Sequence, residues 1–211
     1  MIDFQLIKGD ITQQKTDVIV TAANQGLRGG GGVDGAVHSA CGEGLLEECR
    51  SLGGCSTGKA KLTRAYDLLD QGVPWIIHAV GPRYAGGMYF EADLLKDAYM
   101  AALEITKVYK KRYEEQCLDV LNGYIGHLPS FQKKRYIDET LEEVRSYVKE
   151  HPMKTIVFPS ISTGVYGYPL KEAAYIATRA IKEFALTNDH LDQITLVCYD
   201  NETYNQYKKF M

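Results

Sequence analysis

Residues 18–38 read VIVTAANQGLRGGGGVDGAVH. The opening of this stretch, DVIVTAA with the preceding aspartate, is short, apolar and β-branched, as expected of a strand buried on both faces. Four consecutive glycines, 29–32, interrupt it. From Val33 to Leu52 the spacing turns helical, with Val33, Val37, Ala40, Leu45 and Cys49 close to one stripe. A buried strand, a glycine turn and a helix in that order begin an α/β unit. Glycines leading into a helix let the backbone approach a ligand closely, and the first helical turn offers free N–H groups and the positive end of its dipole. That junction favours an anion, most often phosphate. The spacing matches neither GxGxxG nor GxxxxGK[ST], so neither a dinucleotide fingerprint nor a nucleoside triphosphatase loop is supported. A floppy surface turn is the alternative, at a cost of about 0.5–1 kcal/mol per ordered glycine relative to alanine.

Outward from this unit the pattern repeats. IDFQLIK (2–8) alternates as a strand; AKLTRAY (60–66), PWIIHAV (74–80), KTIVFPS (154–160) and QITLVCYD (193–200) read as further strands. Helices are expected from Glu91 to about Tyr109, with Leu94, Leu95, Ala98, Ala102 and Ile105 inward, and over 170–184 and 202–210. Strands alternating with helices argue for an α/β sandwich with a largely parallel central sheet. Ligands of such sheets sit beyond the carboxyl ends of the strands. That rule selects the loops after Lys8, Ala23, Pro159 and Cys198.

Residues 110–152 fit less well. They are charged and tyrosine-rich, break around NGYIGHLPS (122–130), and carry a second stripe of Ile137, Leu141, Val144 and Val148. They read as a helical insertion in a single domain spanning 1–211, dispensable for folding. It is either a docked appendage or a lid that uses Tyr113, Tyr124, Phe131 and Tyr136 to select a partner.

Composition narrows the class. The chain has 211 residues, a net charge of −3, 45% apolar and 24% charged residues, an ordinary globular balance with no argument for broad nucleic-acid or membrane-surface binding. The first ten residues show no leader pattern, and no apolar run reaches spanning length. Five cysteines without a CxxC pair, beside five histidines, offer no compact zinc set, so no metal is expected and the thiols read as reduced ones of a cytoplasmic protein.

The selected loops carry recognisable chemistry. SISTGVYGYP (160–169) sits between a strand and a helix; Ser160, Ser162 and Thr163 offer hydroxyls and Gly164 frees the backbone. Two anion cradles at one sheet end suit a diphosphate, although an N-cap cluster explains Ser162 or Thr163 alone. Asp10 suits an acceptor for an exocyclic amine such as that of adenine, or equally a turn cap. Tyr199 suits a ring stacked on a base, or a core tyrosine. Asn24 and Asp34 suit a ribose hydroxyl and a water, or, for Asp34, a dipole partner of its own helix.

GDIT, VIVTAAN, GGGGVDGAVH, IIHAVGP and FPSISTGVYGYP, in that order, resemble the macrodomain family, specifically its MacroD-like ADP-ribosyl hydrolase branch. The resemblance covers most of 1–103 and 154–211 and leaves 110–152 outside. It implies a three-layer α/β/α macrodomain sandwich with a mixed, largely parallel sheet. It also implies ADP-ribose across the sheet end: Asp10 and Ile11 at adenine with Tyr199 against the ring; Gly31, Gly32 and Val33 along the diphosphate and distal ribose. Ser162, Thr163, Gly164, Val165 and Tyr166 would wrap the other side, with Tyr166 near the distal ribose. Asn24 would hold a distal-ribose hydroxyl and Asp34 would position or activate water. Similar proteins remove ADP-ribose from acidic side chains and deacetylate O-acetyl-ADP-ribose. The implied partners are therefore ADP-ribose, ADP-ribosylated proteins or O-acetyl-ADP-ribose, with no cofactor, no metal, no membrane and no nucleic acid, in a monomer. The family usually has asparagine where this chain has Thr21, from which a local hydrogen-bond change is expected. A non-catalytic ADP-ribose reader and an RNA- or protein-binding regulator are the rival functions; the absence of a basic, aromatic-interleaved patch weighs against RNA.

Overall fold

Six strands form one sheet in the computed structural model, which describes residues 2–211. They are β1 (Asp3–Lys8), β2 (Val18–Ala22), β3 (Ala60–Arg64), β4 (Trp75–Ala79), β5 (Thr155–Phe158) and β6 (Gln193–Cys198), in the order β1-β6-β5-β2-β4-β3. Every neighbouring pair is parallel except β3 with β4. This is the largely parallel sheet expected from the alternation of strands and helices, with the mixed character that the family resemblance implied. The helices are α1 (Gly32–Cys41), α2 (Glu43–Ser51), α3 (Glu91–Ile125), α4 (Ser130–Glu150), α5 (Leu170–Ala185) and α6 (Asn201–Lys208).

The period of the strands divides the core in two. Val18 and Val20 of β2 join Trp75, Ile77, Phe158 and Leu196 beneath α3 and α5, while Ile19 joins Ile76, Val157 and Val197 beneath Val37 of α1 and Leu45 of α2. Thr21 follows Ile19 to the α1 side, and that parity places it under the helix entered from the glycine run.

Two helix boundaries differ from the sequence expectation. The helix expected over 33–52 is two, because Gly42 stands at φ 76° and a Cβ there would lie 2.3 Å from Asp67 Oδ2. The helix expected to end near Tyr109 runs on to Ile125, and α4 returns beside it. Residues 110–125 thus continue a core helix without a break. With α4 they cover β3, the edge strand. Gln116 Nε2 donates to the Leu62 carbonyl at 2.6 Å, satisfying a group the sheet leaves open. Trp75 is boxed edge-on by Tyr109, Tyr113 and Tyr147, with ring centroids 5.9, 5.1 and 4.9 Å away. The Tyr113 and Tyr66 hydroxyls and the Arg64 N–H all donate to the Glu48 carboxylate, at 3.0, 2.9 and 3.1 Å, tying α2, β3 and α3 together. The four aromatics grouped as a partner surface separate: Tyr113 is buried, and Tyr124, Phe131 and Tyr136 are exposed.

Candidate functional site

A cleft of about 780 Å³ lies beyond the carboxyl ends of the strands, within the size range of small-molecule sites. Asp10, Ile11, Asn24, Gly31, Gly32, Val33, Asp34, Ser162, Thr163, Gly164, Val165, Tyr166 and Tyr199 all line it. Every site residue expected from the sequence therefore reaches one cavity. Gly81, Asp200 and Thr203 line it too and were not expected. Gly81 was within reach of the sequence: β4 is parallel to β2, so the loop after IIHAV opens at the same sheet end.

One wall is the entry to α1. A Cβ on Gly31 or Gly32 would meet no atom within 4 Å, so the backbone here faces open cleft. Gly35 is different: a Cβ there would lie 2.2 Å from the Gly30 carbonyl oxygen. The first turn packs directly on the glycine run and fixes its course. Gly35→Ala is expected to push that run out of place, costing about 1–3 kcal/mol as overpacking does, and to weaken ligand binding with it. Thermal unfolding and ligand titration check this; wild-type values in both would show that the loop yields freely. Asn24 braces the same loop through Nδ2, which donates to the Gly29 carbonyl at 2.6 Å.

The facing wall is 160–166. Two of the three hydroxyls expected to serve a ligand, those of Ser160 and Thr163, are engaged within the protein. Thr163 Oγ1 donates within the loop, with Ser160 O at 3.1 Å and Ser160 Oγ at 2.9 Å, and Ser160 Oγ lies 2.9 Å from Tyr207 Oη. Ser162 Oγ is buried without a partner and faces Gly81, where a Cβ would come within 2.2 Å of it. No N–H from Ser162 to Tyr166 donates to a backbone carbonyl among the described residues, so these donors are left for a ligand or solvent. Ser162 holds φ at 68°, a strained value for a residue with a side chain. The Tyr99 hydroxyl accepts from Ile161 N–H at 3.0 Å, and Tyr168 N–H donates to Ser162 O at 2.9 Å, so the loop is anchored at both ends.

At the far end Asp10 is a turn cap, its Oδ1 accepting from Thr12 N–H and Oγ1 at 2.8 Å each, while it also lines the cleft. Tyr199 is 83% exposed, so it is not a core tyrosine.

Asp34 is the buried carboxylate of the site, 4% exposed, in the first turn of α1. Its Oδ1 accepts a hydrogen bond from Thr21 Oγ1 at 2.9 Å. His38 Nε2, one turn on, lies 3.8 Å from the same oxygen, beyond hydrogen-bond reach. Burial raises the Asp34 pKa above the ordinary carboxylate value, and the Thr21 bond and the His38 charge offset this only in part. Behind it the fold assembles what the sequence did not reveal as a compact set. Ligand-type atoms of His38, Cys49 and His78 lie within 4.8 Å of one another. His78 Nε2 is 2.9 Å from Thr63 Oγ1 and 3.6 Å from Cys49 Sγ. Burial lowers the His78 pKa to about 3 and raises that of Cys49 to about 12, so at neutral pH both are uncharged.

The Macro domain family model matches residues 20–114 and 117–177, and so takes in most of the 110–152 segment expected to fall outside the pattern. A "Macro domain-containing protein" of Methanosarcina mazei is 38% identical over 205 residues, covering 97% of this chain and 86% of that protein. An "O-acetyl-ADP-ribose deacetylase" of Salmonella newport is 38% identical over 211 residues, covering 98% and 93%. Among solved structures, a glycine-to-valine mutant of the Oceanobacillus iheyensis macrodomain with ADPR superposes with a TM-score of 0.72 at 32% identity, covering 97% and 89%. Other structures of that protein carry alanine at an asparagine seven residues before this glycine and at an aspartate three residues after it, the spacing of Asn24, Gly31 and Asp34.

Proposed function

The chain belongs to the Macro domain family, and from that premise we propose that it binds ADP-ribose and hydrolyses esters of its distal ribose. The substrates are O-acetyl-ADP-ribose and mono-ADP-ribose linked to Asp or Glu side chains. The observation that carries this reading is Asp34: a buried carboxylate, one oxygen held by Thr21, on the wall between two backbone cradles. The diphosphate lies between the α1 entry and the N–H groups of 162–166, where backbone donors and the helix dipole favour negative charge. Asp10, Ile11 and Tyr199 take the adenine, and Asn24 and Tyr166 the distal ribose. Asp34 accepts a proton from water through Oδ2, which engages no donor among the described residues. The water oxygen bonds to the ester carbonyl carbon, the bond from that carbon to the ribose oxygen breaks, and Asp34 returns its proton to the leaving ribose oxygen. Diphosphate binding holds the ester in place, which lets one modest base suffice.

Two measurements test the reading. Calorimetry is expected to show ADP-ribose binding far more tightly than AMP, because both cradles engage the diphosphate. Asp10→Ala is expected to lose about 1–3 kcal/mol if its carboxylate meets the adenine amine, and unchanged affinity would remove Asp10 from the site. Release of acetate from O-acetyl-ADP-ribose, and of ADP-ribose from a Glu-linked protein, tests turnover. Tight binding without either release would make the chain a reader.

A further inference from the structure

We infer that Thr21 is a positioning residue: its hydroxyl pins Oδ1 of Asp34 so that Oδ2 alone is presented to the water and ester in the cleft. The inference rests on the hydrolase reading and adds a residue that does not itself touch the cleft. Thr21 is fully buried in the middle of the sheet, on a strand flanked by β4 and β5. Thr21 is held by the sheet, whereas Asp34 is carried on α1, which enters from a run of glycines. A β-branched side chain in a strand has little χ1 freedom, so the Oγ1 direction is set by the backbone.

No other group does this work. His38, on α1 itself, is 3.8 Å from Oδ1 and donates nothing there; its Nε2 is buried without a partner. His78 on β4 and Cys49 on α2 stand behind His38 and engage Thr63 and each other. Among the described residues, only the Thr21 hydroxyl reaches the Asp34 carboxylate at hydrogen-bond distance. Without that donor the carboxylate loses its orientation, and its charged form loses a stabilising bond. Loss of a hydrogen bond to the charged form raises a pKa, so the pH at which Asp34 ionises should rise.

Thr21→Val, equal in shape but without the donor, and Thr21→Ser, which keeps it, form the test. For Thr21→Val, kcat on O-acetyl-ADP-ribose is expected to fall about ten- to hundredfold, as misplacement of a catalytic group does, with ADP-ribose Kd within about threefold of wild type. The acid limb of the kcat–pH profile should move upward by about half a pH unit or more, and Thr21→Ser should restore most of both. Carbon-13 NMR titration of the Asp34 carboxyl in the free protein should show the same upward shift without any substrate. An unshifted Asp34 titration in Thr21→Val would overturn the inference. So would equal losses in kcat and affinity, which mark a collapsed site. If the wild type hydrolyses no ester, the hydrolase reading fails by itself, and the NMR titration still decides whether Thr21 holds Asp34.

Discussion

Asp34→Ala is expected to reduce turnover of O-acetyl-ADP-ribose by about 10²–10⁴-fold, the contribution of a positioned general base, and to leave ADP-ribose affinity within about tenfold. The split follows from where the carboxylate acts. Under the proposed reading it would face a water and a bond being broken, whereas backbone groups of the two loops would hold the diphosphate. In the wild type, burial raises the Asp34 pKa, so activity should be lost on acidification above the ordinary carboxylate range. The linkage has a definite sign. A carboxyl whose folded pKa is raised contributes stability at pH below its unfolded pKa and loses it as pH rises through the folded pKa. At neutral pH the ionised Asp34 therefore costs the fold stability, and Asp34→Asn, which mimics the protonated form, should melt no lower than wild type while being as inactive as Asp34→Ala. Rate and melting curves on the same preparations check both halves. Wild-type turnover by Asp34→Ala would remove Asp34 from the chemistry.

The site residues that were legible in the sequence share one property: they interrupt a periodic pattern. Four glycines between a strand and a helix, and a second glycine loop at a strand end, stand out without coordinates. Thr21 was legible only as a departure from the asparagine usual in the family, because a threonine inside a β-branched strand is in itself an ordinary strand residue. Its meaning comes from parity, which turns it toward α1, and from the path of the glycine run, which brings Asp34 above it. The cluster of His38, Cys49 and His78 was hidden for a related reason. One residue comes from each of α1, α2 and β4, and only packing unites them. Two helix ends differed from the expectation for opposite reasons. Gly42 divides a continuous apolar stripe, and nothing in the composition near Tyr109 stops α3.

The largest effect on stability is expected from replacing residues 114–150 by a short glycine-serine linker. Read from sequence, residues 110–152 were a docked appendage or a lid, and their removal was expected to leave the domain folded under either reading. The segment's ends do lie close, since Tyr113 packs edge-on against Trp75 and the Trp75 indole N–H donates to the His151 carbonyl at 2.9 Å. The linker therefore closes without strain, and what changes is the surface left behind. Val144 and Val148 are buried, Tyr147 covers both Trp75 and the Arg64 guanidinium, and Gln116 satisfies the Leu62 carbonyl on the sheet edge. Each buried apolar side chain is worth about 1.5–3 kcal/mol, and an uncovered edge carbonyl and indole add to the loss. The total, on the order of 5–10 kcal/mol, rivals the whole net stability of a domain, about 5–15 kcal/mol. The variant should be unfolded or aggregated at room temperature, with β3 free to pair between molecules. Circular dichroism and size-exclusion chromatography read this directly. A monomer melting within a few degrees of wild type would return the segment to the status of an accessory, and its exposed tip residues Tyr124, Phe131 and Tyr136 would then be the part to test for partner selection.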